Sequence, residues 1–491
     1  MVKQFCESIL QLKIQRSKSL VNLVMGLASQ TNAKSVVETS LSPCYHFQYS
    51  SISKAIASMC REKEKPKEIK EHTEPLTKRE EVENKFLSLK AGYIKSRGEK
   101  YWLLNTDVSP IFCPHSPTLP NRRHAYRANN QIKGNKPVGI GYEFSCVGLS
   151  HRLPLYGASE APWNLPLSMR LIPFEENKNA FTAKQVNELL NNEELPFGKD
   201  LTVNALDSNY ASPEYIADTY PQKNLVNIIR LASNRNVWKK LSKEEQVDRR
   251  KNNNDNRGAD TIYGGKYKLN EADNWDLPCD EVSEFGIKTA KGKIYIVKVS
   301  IWEDMMLRTK RGKSMKDKPM RLVRVELFDP RTGMPAFKRC MWLGVWGKRR
   351  KELTGEETFW CYRNRFDIEH FFRFGKQNLL LDKFQTPDEE HLQNWLEVVS
   401  LAYWLLWLGK EEAQHETLKW RQYDKNVKNQ ERYDLGVTPS QVQRQMAGII
   451  LSFEQEPFLP KLQIKGKGRK LGQVVPKRKR YPVRKKKKRP T

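Results

Sequence analysis

The segment from Tyr362 to Lys376 places acidic, basic and aromatic side chains at a regular spacing. If residues 359–381 form one continuous helix, each residue advances by about 100° around its axis. Five side chains then share a sector about 80° wide: Tyr362, Arg365, Glu369, Arg373 and Lys376. A carboxylate is therefore flanked on its own helix face by cations and by a phenol.

Two explanations fit this helix face. On an ordinary surface helix, oppositely charged side chains four residues apart form solvated ion pairs that serve no chemistry. Alternatively, Glu369 is a ligand of Mg²⁺, while the neighbouring Arg, Lys and Tyr side chains hold a DNA backbone. Two such ions, about 3.5–4 Å apart, can activate the attacking oxygen and stabilise the leaving oxygen of a phosphodiester. This chemistry needs further carboxylates from other elements.

Two aspartates are suited to supply those carboxylates. "KYWLLNTDVSPIF" is typical of a strand that carries Asp107, and "LTVNALDSNY" is typical of a strand that ends at Asp207. If these strands are neighbours in one sheet, their ends bring both carboxylates together. Because aspartate is also common as a turn residue or helix cap, each position has that simpler alternative. The pattern predicts a metal-binding triad of Asp107, Asp207 and Glu369.

The elements around these residues predict an α/β unit. Strands are also predicted for "KPVGIGYEFSCVGL", "WNLPLSMRLIPF" and "NLVNIIRLASN". Among them, "TAKQVNELLNNE" predicts a helix capped by Thr182, and "SPEYIADTY" predicts a helix capped by Ser212 with proline at its first position. The resulting order, β-β-β-α-β-α-β, predicts a mixed sheet flanked by helices.

The charge of the chain indicates a polyanionic partner. The chain has 86 Lys and Arg against 57 Asp and Glu, a formal net charge of +29. Residues 461–491 hold fifteen basic residues and no acidic one, which is about half of that excess. A balance of this kind is most simply explained by binding to nucleic acid.

Other classes of protein fit the sequence poorly. No stretch reaches the roughly 18 apolar residues of a membrane span, so no membrane partner is expected. The eight cysteines are scattered without a C-x-x-C pair, which argues against a zinc site and against a disulfide framework. We expect reduced thiols in a cytoplasmic protein.

Four residues of the opening segment, Tyr362, Arg365, Glu369 and Lys376, spell Y-x2-R-x3-E-x6-K. This spacing resembles the signature of the DDE transposases of the bacterial insertion-sequence family numbered four. "NTDVSPIF" and "LDSNYAS" resemble that family's two aspartate segments, and "NLVNIIRLASNR" resembles the strand that follows. A β-rich insertion before the glutamate helix is a further similarity. The resemblance extends over about residues 99–410.

The resemblance implies an RNase H-like catalytic core. It assigns Asp107, Asp207 and Glu369 as the catalytic triad that binds two Mg²⁺ ions, for which Mn²⁺ can substitute. The implied reaction is metal-dependent cleavage at the transposon ends, followed by attack of the freed 3′-hydroxyl on target DNA.

The resemblance also implies the partners. Tyr362, Arg365 and Lys376 would contact phosphates near the transposon end, and Arg373 joins them here because it shares their helix face. Double-stranded DNA, at the transposon ends and at the target, is the expected partner. Pairing of two ends implies a homodimer in the synaptic complex. The expected location is the bacterial cytoplasm, in association with the nucleoid.

Seven segments are predicted along the chain. They are a helical region at 1–60, a charged linker and helix at 61–98, the first part of the RNase H-like core at 99–238, a β-rich insertion at 239–355, core helices with the signature at 356–410, a C-terminal helical region at 411–460 and a basic disordered tail at 461–491. In the first segment, a second helix capped by Ser50 would allow a DNA-binding helix-turn-helix, with plain helical packing as the equal alternative.

Two other functions stay open at the level of sequence. An RNase H-like nuclease that cuts DNA without joining it would share the triad, so only a strand-transfer assay separates the two enzymes. A catalytically inactive, DNA-binding relic of a transposase is the third alternative, and the intact triad and signature argue against it.

Overall fold

The computed structural model describes residues 1–60, 78–96, 98–126, 138–151, 161–252, 262–289, 292–309, 312–414, 436–453, 468, 470–474 and 477–485. The helices are α1 (Val2–Gln11), α2 (Ser17–Ser29), α3 (Ser50–Ser58), α4 (Lys78–Ala91), α5 (Lys178–Asn191), α6 (Pro213–Thr219), α7 (Lys243–Asn252), α8 (Gly355–Asn364), α9 (Phe366–Asn378), α10 (Glu389–Leu408) and α11 (Pro439–Leu451). The strands are β1 (Trp102–Phe112), β2 (Arg123–Tyr126), β3 (Val138–Ser150), β4 (Asn164–Leu171), β5 (Thr202–Leu206), β6 (Leu225–Leu231), β7 (Asn236–Lys240), β8 (Tyr263–Lys268), β9 (Glu281–Lys288), β10 (Ile294–Met306), β11 (Met320–Phe328) and β12 (Met341–Trp346).

The centre of the molecule is a mixed sheet in the order β4-β3-β1-β5-β6. β1, β3 and β4 pair antiparallel, while β5 and β6 run parallel to β1. This order and these directions are those of an RNase H-like core, so the predicted fold class is confirmed. The predicted sequence of five strands and two helices corresponds to β1, β3, β4, α5, β5, α6 and β6.

The β-rich insertion continues this sheet. β12 pairs antiparallel with β6, and β11, β10, β7 and β8 follow in the same sheet, with β9 on β10. The predicted turn at Asp329–Gly333 lies between β11 and β12. There the Gly333 amide donates to the Asp329 carbonyl at 2.8 Å, and Gly333 has φ +67°. Only glycine adopts this left-handed conformation without strain.

Two of the predicted helix caps are wrong. α5 begins four residues before Thr182, because the Asn177 side chain accepts hydrogen bonds from the amides of Asn179 and Ala180. Thr182 is buried inside the helix against the hydroxyl of Ser145. α3 starts at Ser50 itself, and no side chain caps it. The Ser212 cap of α6 is confirmed, with the Tyr215 amide as its donor.

The single helix predicted over 359–381 is also wrong. α8 ends at Asn364 and α9 begins at Phe366, with Arg365 as the residue between them. The Arg365 amide donates to the Tyr362 carbonyl at 3.2 Å, a bond that spans three residues instead of four and tightens the chain at this point. Tyr362 therefore lies on α8, whereas Glu369, Arg373 and Lys376 lie on α9.

The N-terminal helices pack into the main hydrophobic core. α2 contacts α10, α3 and α11, and ten of its thirteen residues are buried. α2 is therefore packed as the alternative of plain helical packing predicts. α3 keeps exposed residues, among them Ser53 and Lys54, and DNA binding by residues 1–60 stays a prediction.

A buried ion pair attaches the next helix, α4, to the core. Lys90 on α4 lies 3.5 Å from a carboxylate oxygen of Glu397 on α10, and both side chains are almost completely buried. The Lys90 ammonium also donates to the carbonyl of Leu167 on β4 at 3.2 Å. Three elements therefore meet at one paired charge.

Part of the basic tail is described by the structure. Residues 477–485 lie against the edge strand β2, where Arg484 forms a parallel bridge with Arg123. Most of the remaining tail, for which disorder was predicted, lies outside the described residues. None of the eight cysteines, all of which lie in the described ranges, is in a disulfide bond. Within the described ranges, no helix combines the length and hydrophobicity that a membrane crossing requires.

Candidate active site

The two predicted aspartates lie side by side on neighbouring parallel strands. Asp107 is in the middle of β1, and Asp207 directly follows the last residue of β5. β1 and β5 are paired in the register Thr106 to Leu206, so Asp107 and Asp207 are each the next residue along. Because residues in register on parallel strands are neighbours, the backbone itself brings these two carboxyl groups together.

Asp107 is the more buried of the two aspartates. Its Oδ1 accepts a hydrogen bond from the Val108 amide at 2.8 Å, and its side chain is 19% exposed. Burial, together with the negative charge of Asp207, raises the pKa of Asp107 to about 7, while the Arg365 guanidinium acts in the opposite direction. A buried carboxyl group beside like charges is one that gains from a nearby cation.

Asp207 is held in place by the turn that follows it. It caps the short 3₁₀ turn Ser208–Tyr210, and its two carboxylate oxygens accept hydrogen bonds from the Asn209 amide and side chain, each at 2.8 Å. The capping role considered for this residue is therefore present. Behind it, Tyr210 is buried, and burial with the charges of Asp107 and Asp207 raises the pKa of its phenol well above the usual value.

Glu369 reaches the site from the first turn of α9. The buried face of that helix carries Ile368, Phe371 and Phe372, spaced as an amphipathic helix requires. Phe372 packs edge-to-face on Phe144 of β3, with 5.5 Å between ring centroids. This packing holds α9 against the sheet and leaves the Glu369 side chain 45% exposed beside the aspartates.

Arg365 joins the two halves of the site. Its Nη1 lies 3.6 Å from Oδ2 of Asp107, and its Nη2 donates to Oε1 of Glu369 at 2.7 Å. The guanidinium carbon lies 5.7 Å from the ring centre of Tyr362 and 4.9 Å from that of Phe366. A nearly buried cation thus lies between the two carboxylates, and the ion pair with Glu369 is the four-residue pair that the sequence allowed.

Asp107 opens onto a cleft of about 480 Å³. Its lining includes Asp107, Ser109, Tyr210, Lys178 and Lys376. The Lys376 ammonium donates to the Ser109 hydroxyl at 2.7 Å, and burial lowers its pKa to about 8 in spite of Asp382 nearby.

Two residues of this cleft were missed in the sequence. Ser109 lies two positions after Asp107, so the period of a strand places both on one face, and that signal could have found it. Lys178 is the first residue of α5. No motif marked it, because its position depends on how the preceding loop returns to the sheet.

The other predicted DNA-binding residues lie in contrasting positions. Tyr362 is buried, with only 1% of its surface exposed, beneath the Arg365 guanidinium. Arg373 is exposed on α9. Arg365, Glu369 and Lys376 come together near Asp107, whereas Tyr362 supports that group from below.

The three acids have the donor atoms that a divalent metal ion requires. All three acids offer oxygen atoms, which Mg²⁺ and Mn²⁺ prefer, and the raised pKa of Asp107 indicates negative charge without full compensation. In the part of the chain that the structure describes, however, no three acidic, histidine or cysteine side chains lie close enough together to hold an ion. The carboxylate oxygens are suitable ligands for a divalent metal ion. The three side chains must move closer together before they can hold one.

The strand order and the acidic cleft together define an RNase H-like domain of the kind that acts on nucleic acids. Residues 164–405 match the family model described as "Transposase DDE domain", and the chain belongs to the DDE transposases. The matched range contains Asp207 and Glu369 but not Asp107, whose assignment rests on the register of β1 and β5. None of the curated proteins matches the chain.

Proposed function

We propose that this transposase cleaves DNA at the ends of its element and joins the freed ends to target DNA. The observation that carries the proposal is the pairing of β1 with β5 in a register that places Asp107 beside Asp207, with Glu369 linked to Asp107 through Arg365. DDE transposases use divalent metal ions, and carboxylate oxygens are the ligands such ions need.

Asp107, Asp207 and Glu369 are the residues that would hold the ions. Bound Mg²⁺, or Mn²⁺ in its place, supplies Lewis acidity at the scissile phosphate and at the attacking oxygen. The sheet fixes both aspartates, and the Asn209 hydrogen bonds hold the Asp207 carboxylate in one orientation.

Arg365 has two proposed states. In the protein free of DNA, its guanidinium neutralises Asp107 and Glu369 and keeps them apart from one another. When a DNA phosphate enters the cleft, the phosphate becomes the preferred partner of the guanidinium, since Arg and phosphate match in charge and in bidentate geometry. Glu369 is then free to approach the two aspartates.

Further cations would bind the DNA backbone. Lys376 lines the cleft and is held by Ser109, so it is placed for a phosphate beside the triad. Arg373 is exposed on the same helix and would contact a phosphate further along. Tyr362 would act by supporting Arg365, or by a phosphate contact if α8 shifts on binding.

The spacing of Tyr362, Arg365, Glu369 and Lys376 supports a narrower assignment to the insertion-sequence family numbered four. Membership in that group, the pairing of two ends by a homodimer and action at the bacterial nucleoid are parts of the same proposal.

The decisive experiment follows both reaction steps on one substrate. The inverted repeats are first read from the DNA that flanks the gene, and a labelled duplex carrying one repeat is incubated with the protein, target plasmid and Mg²⁺. A cleaved end together with a labelled plasmid supports the transposase. Cleavage without a labelled plasmid identifies the nuclease, and binding without cleavage identifies the inactive relic.

A further inference from the structure

The described C-terminal segment, residues 477–485, is attached to the sheet by its backbone. The Tyr481 amide donates to the Pro117 carbonyl at 2.9 Å, and the Arg484 amide donates to the Arg122 carbonyl at 2.8 Å. In return, the Arg122 guanidinium donates to the Tyr481 carbonyl at 3.2 Å. β2 is the last strand of the sheet on this side, so the segment covers an edge that would otherwise offer unpaired backbone groups.

Arg484 is the side chain that anchors this segment. One terminal nitrogen lies 2.9 Å from a carboxylate oxygen of Glu175, and the other donates to the Asn121 side chain at 3.0 Å. Its guanidinium carbon lies 4.4 Å from the centre of the Phe174 ring. An ion pair, a hydrogen bond and a stacking contact together specify arginine at this position.

Two routes connect this anchor to the catalytic cleft. Arg123, which bridges to Arg484, lies 3.2 Å from Glu143, and Glu143 lines the cleft. On the other side, Phe174 and Glu175 precede α5, whose first residue, Lys178, also lines the cleft. The Arg484 end of the segment is therefore connected, through Arg123 and through the loop before α5, to two residues that line the cleft.

The docked segment presents positive charge to solvent. The exposed cations are Lys477, Arg478, Lys479, Arg480 and Lys485. No acidic residue occurs within 477–485, and the one acidic partner that Arg484 engages belongs to the loop before α5. Exposed cations on a segment that is anchored at Tyr481 and Arg484 form a surface suited to the phosphate backbone of a duplex.

We propose that residues 477–485 form a docked cationic track that holds the phosphate backbone of duplex DNA as it leaves the catalytic cleft. This inference rests on the proposed function, since it concerns the DNA whose scissile phosphate lies in that cleft. Docking at β2 makes the track different from a free polycationic arm. A free arm adds affinity at any position, whereas the track contacts a fixed set of phosphates beside the cleavage point.

The test uses the full chain, a duplex carrying one element end, and Ca²⁺ in place of Mg²⁺ so that binding is measured without cleavage. Arg484→Ala removes one charge and the anchor. Arg478→Ala removes one charge and leaves the anchor in place, which makes it the matched control. Affinity, its salt dependence and the hydroxyl-radical footprint are measured for both variants. Hydrogen exchange of the amides in 477–485 reports docking directly, and thermal melting confirms that each variant is folded.

We expect Arg484→Ala to weaken binding about 10-fold. The slope of log affinity against log salt concentration should fall by the equivalent of roughly two to four phosphate contacts. The variant should also lose protection of the phosphates next to the cleavage point and of the Tyr481 and Arg484 amides, which donate to the domain. Arg478→Ala should lose about one phosphate contact and keep both kinds of protection. Equal losses in the two variants, or rapid exchange of these amides in the unmodified protein, would overturn the track. Failure of the unmodified protein to cleave in Mg²⁺ would instead count against the proposed function.

Discussion

The two halves of the candidate site are held by different forces. Asp107 lies within β1 and Asp207 directly follows β5, and these two strands are hydrogen-bonded and parallel. Glu369 instead lies in the first turn of a helix that follows a break at Arg365. The Asp107 side chain is 19% exposed, and that of Glu369 is 45% exposed. The backbone of the sheet therefore sets one half of the site, whereas the side-chain packing of α9 and the contacts of Arg365 set the other half.

The largest expected effect comes from replacing one carboxylate in either half of the site. Asp207→Asn and Glu369→Gln should each lower Mg²⁺-dependent cleavage by roughly 10³-fold or more, since each loses several kcal/mol of stabilisation by metal ions. DNA affinity should stay close to that of the unmodified protein. Asp367→Asn, which alters the other acidic residue of the same helix, is the matched control and should keep cleavage. Substantial cleavage by either triad variant would remove that residue from the triad.

The second prediction uses the difference in burial. The folded-state pKa of Asp107, about 7, lies above the ordinary 3.8, so the stability that its neutral form confers is lost as pH rises through 7. In EDTA, Asp107→Asn should therefore raise the free energy of unfolding relative to the unmodified protein. The gain should grow from near zero at about pH 4 to about 2–4 kcal/mol at pH 8.

Urea unfolding at several pH values measures this gain. Glu369→Gln is the control from the other half of the site. Because the Glu369 carboxylate is half-exposed, replacing it should change the free energy of unfolding little. Equal pH dependence in the two variants would contradict the difference between the halves.

A third change acts on the contact that links the halves. Arg365→Ala removes the cation between Asp107 and Glu369, so the DNA-free protein should bind Mn²⁺ about 10-fold more tightly, since one opposing charge is lost. Cleavage should nevertheless fall, because a phosphate contact is lost with it. Calorimetric titration with Mn²⁺ measures the affinity. Arg373→Ala, an exposed arginine of α9, should leave Mn²⁺ affinity unchanged, and unchanged affinity in Arg365→Ala would refute the two states of Arg365.

The smallest effect is expected at Lys376. Lys376→Ala should weaken binding to element ends about three- to ten-fold and reduce the salt slope by about one phosphate contact. Because burial lowers the pKa of Lys376 to about 8, the unmodified protein should itself lose affinity as pH rises from 7 to 9. Lys376→Arg should bind equally at both pH values, since arginine stays charged. A salt slope that is the same in all three proteins would argue against a phosphate contact there.

The sheet could be predicted because its signals are local. The alternating strands and the Ser212 cap of α6 depend on nearby residues, and the placement of Asp107 beside Asp207 follows from strand order alone. The cap of α5 was misplaced for a related reason. Thr182 and Asn177 both have capping chemistry, and only the packing of Thr182 against Ser145 decides between them.

The helix side of the site could not be predicted in the same way. Residues 355–378 contain no proline at the break, so periodicity favoured one helix. The interruption at Arg365 instead accompanies its contact with Asp107, which is more than 250 residues away in the chain. The attachment of residues 477–485 to β2 likewise depends on a distant edge strand, and a basic composition gave no sign of it.

The paired charges of Lys90 and Glu397 bear on how this protein can change over evolutionary time. Replacement of Lys90 by an uncharged residue would leave Glu397 without its cation in the interior, at a cost of about 3–5 kcal/mol. That is a large share of the stability of an ordinary domain. Recombination that exchanged the N-terminal helices between relatives would therefore succeed only if both partners of the pair were inherited together.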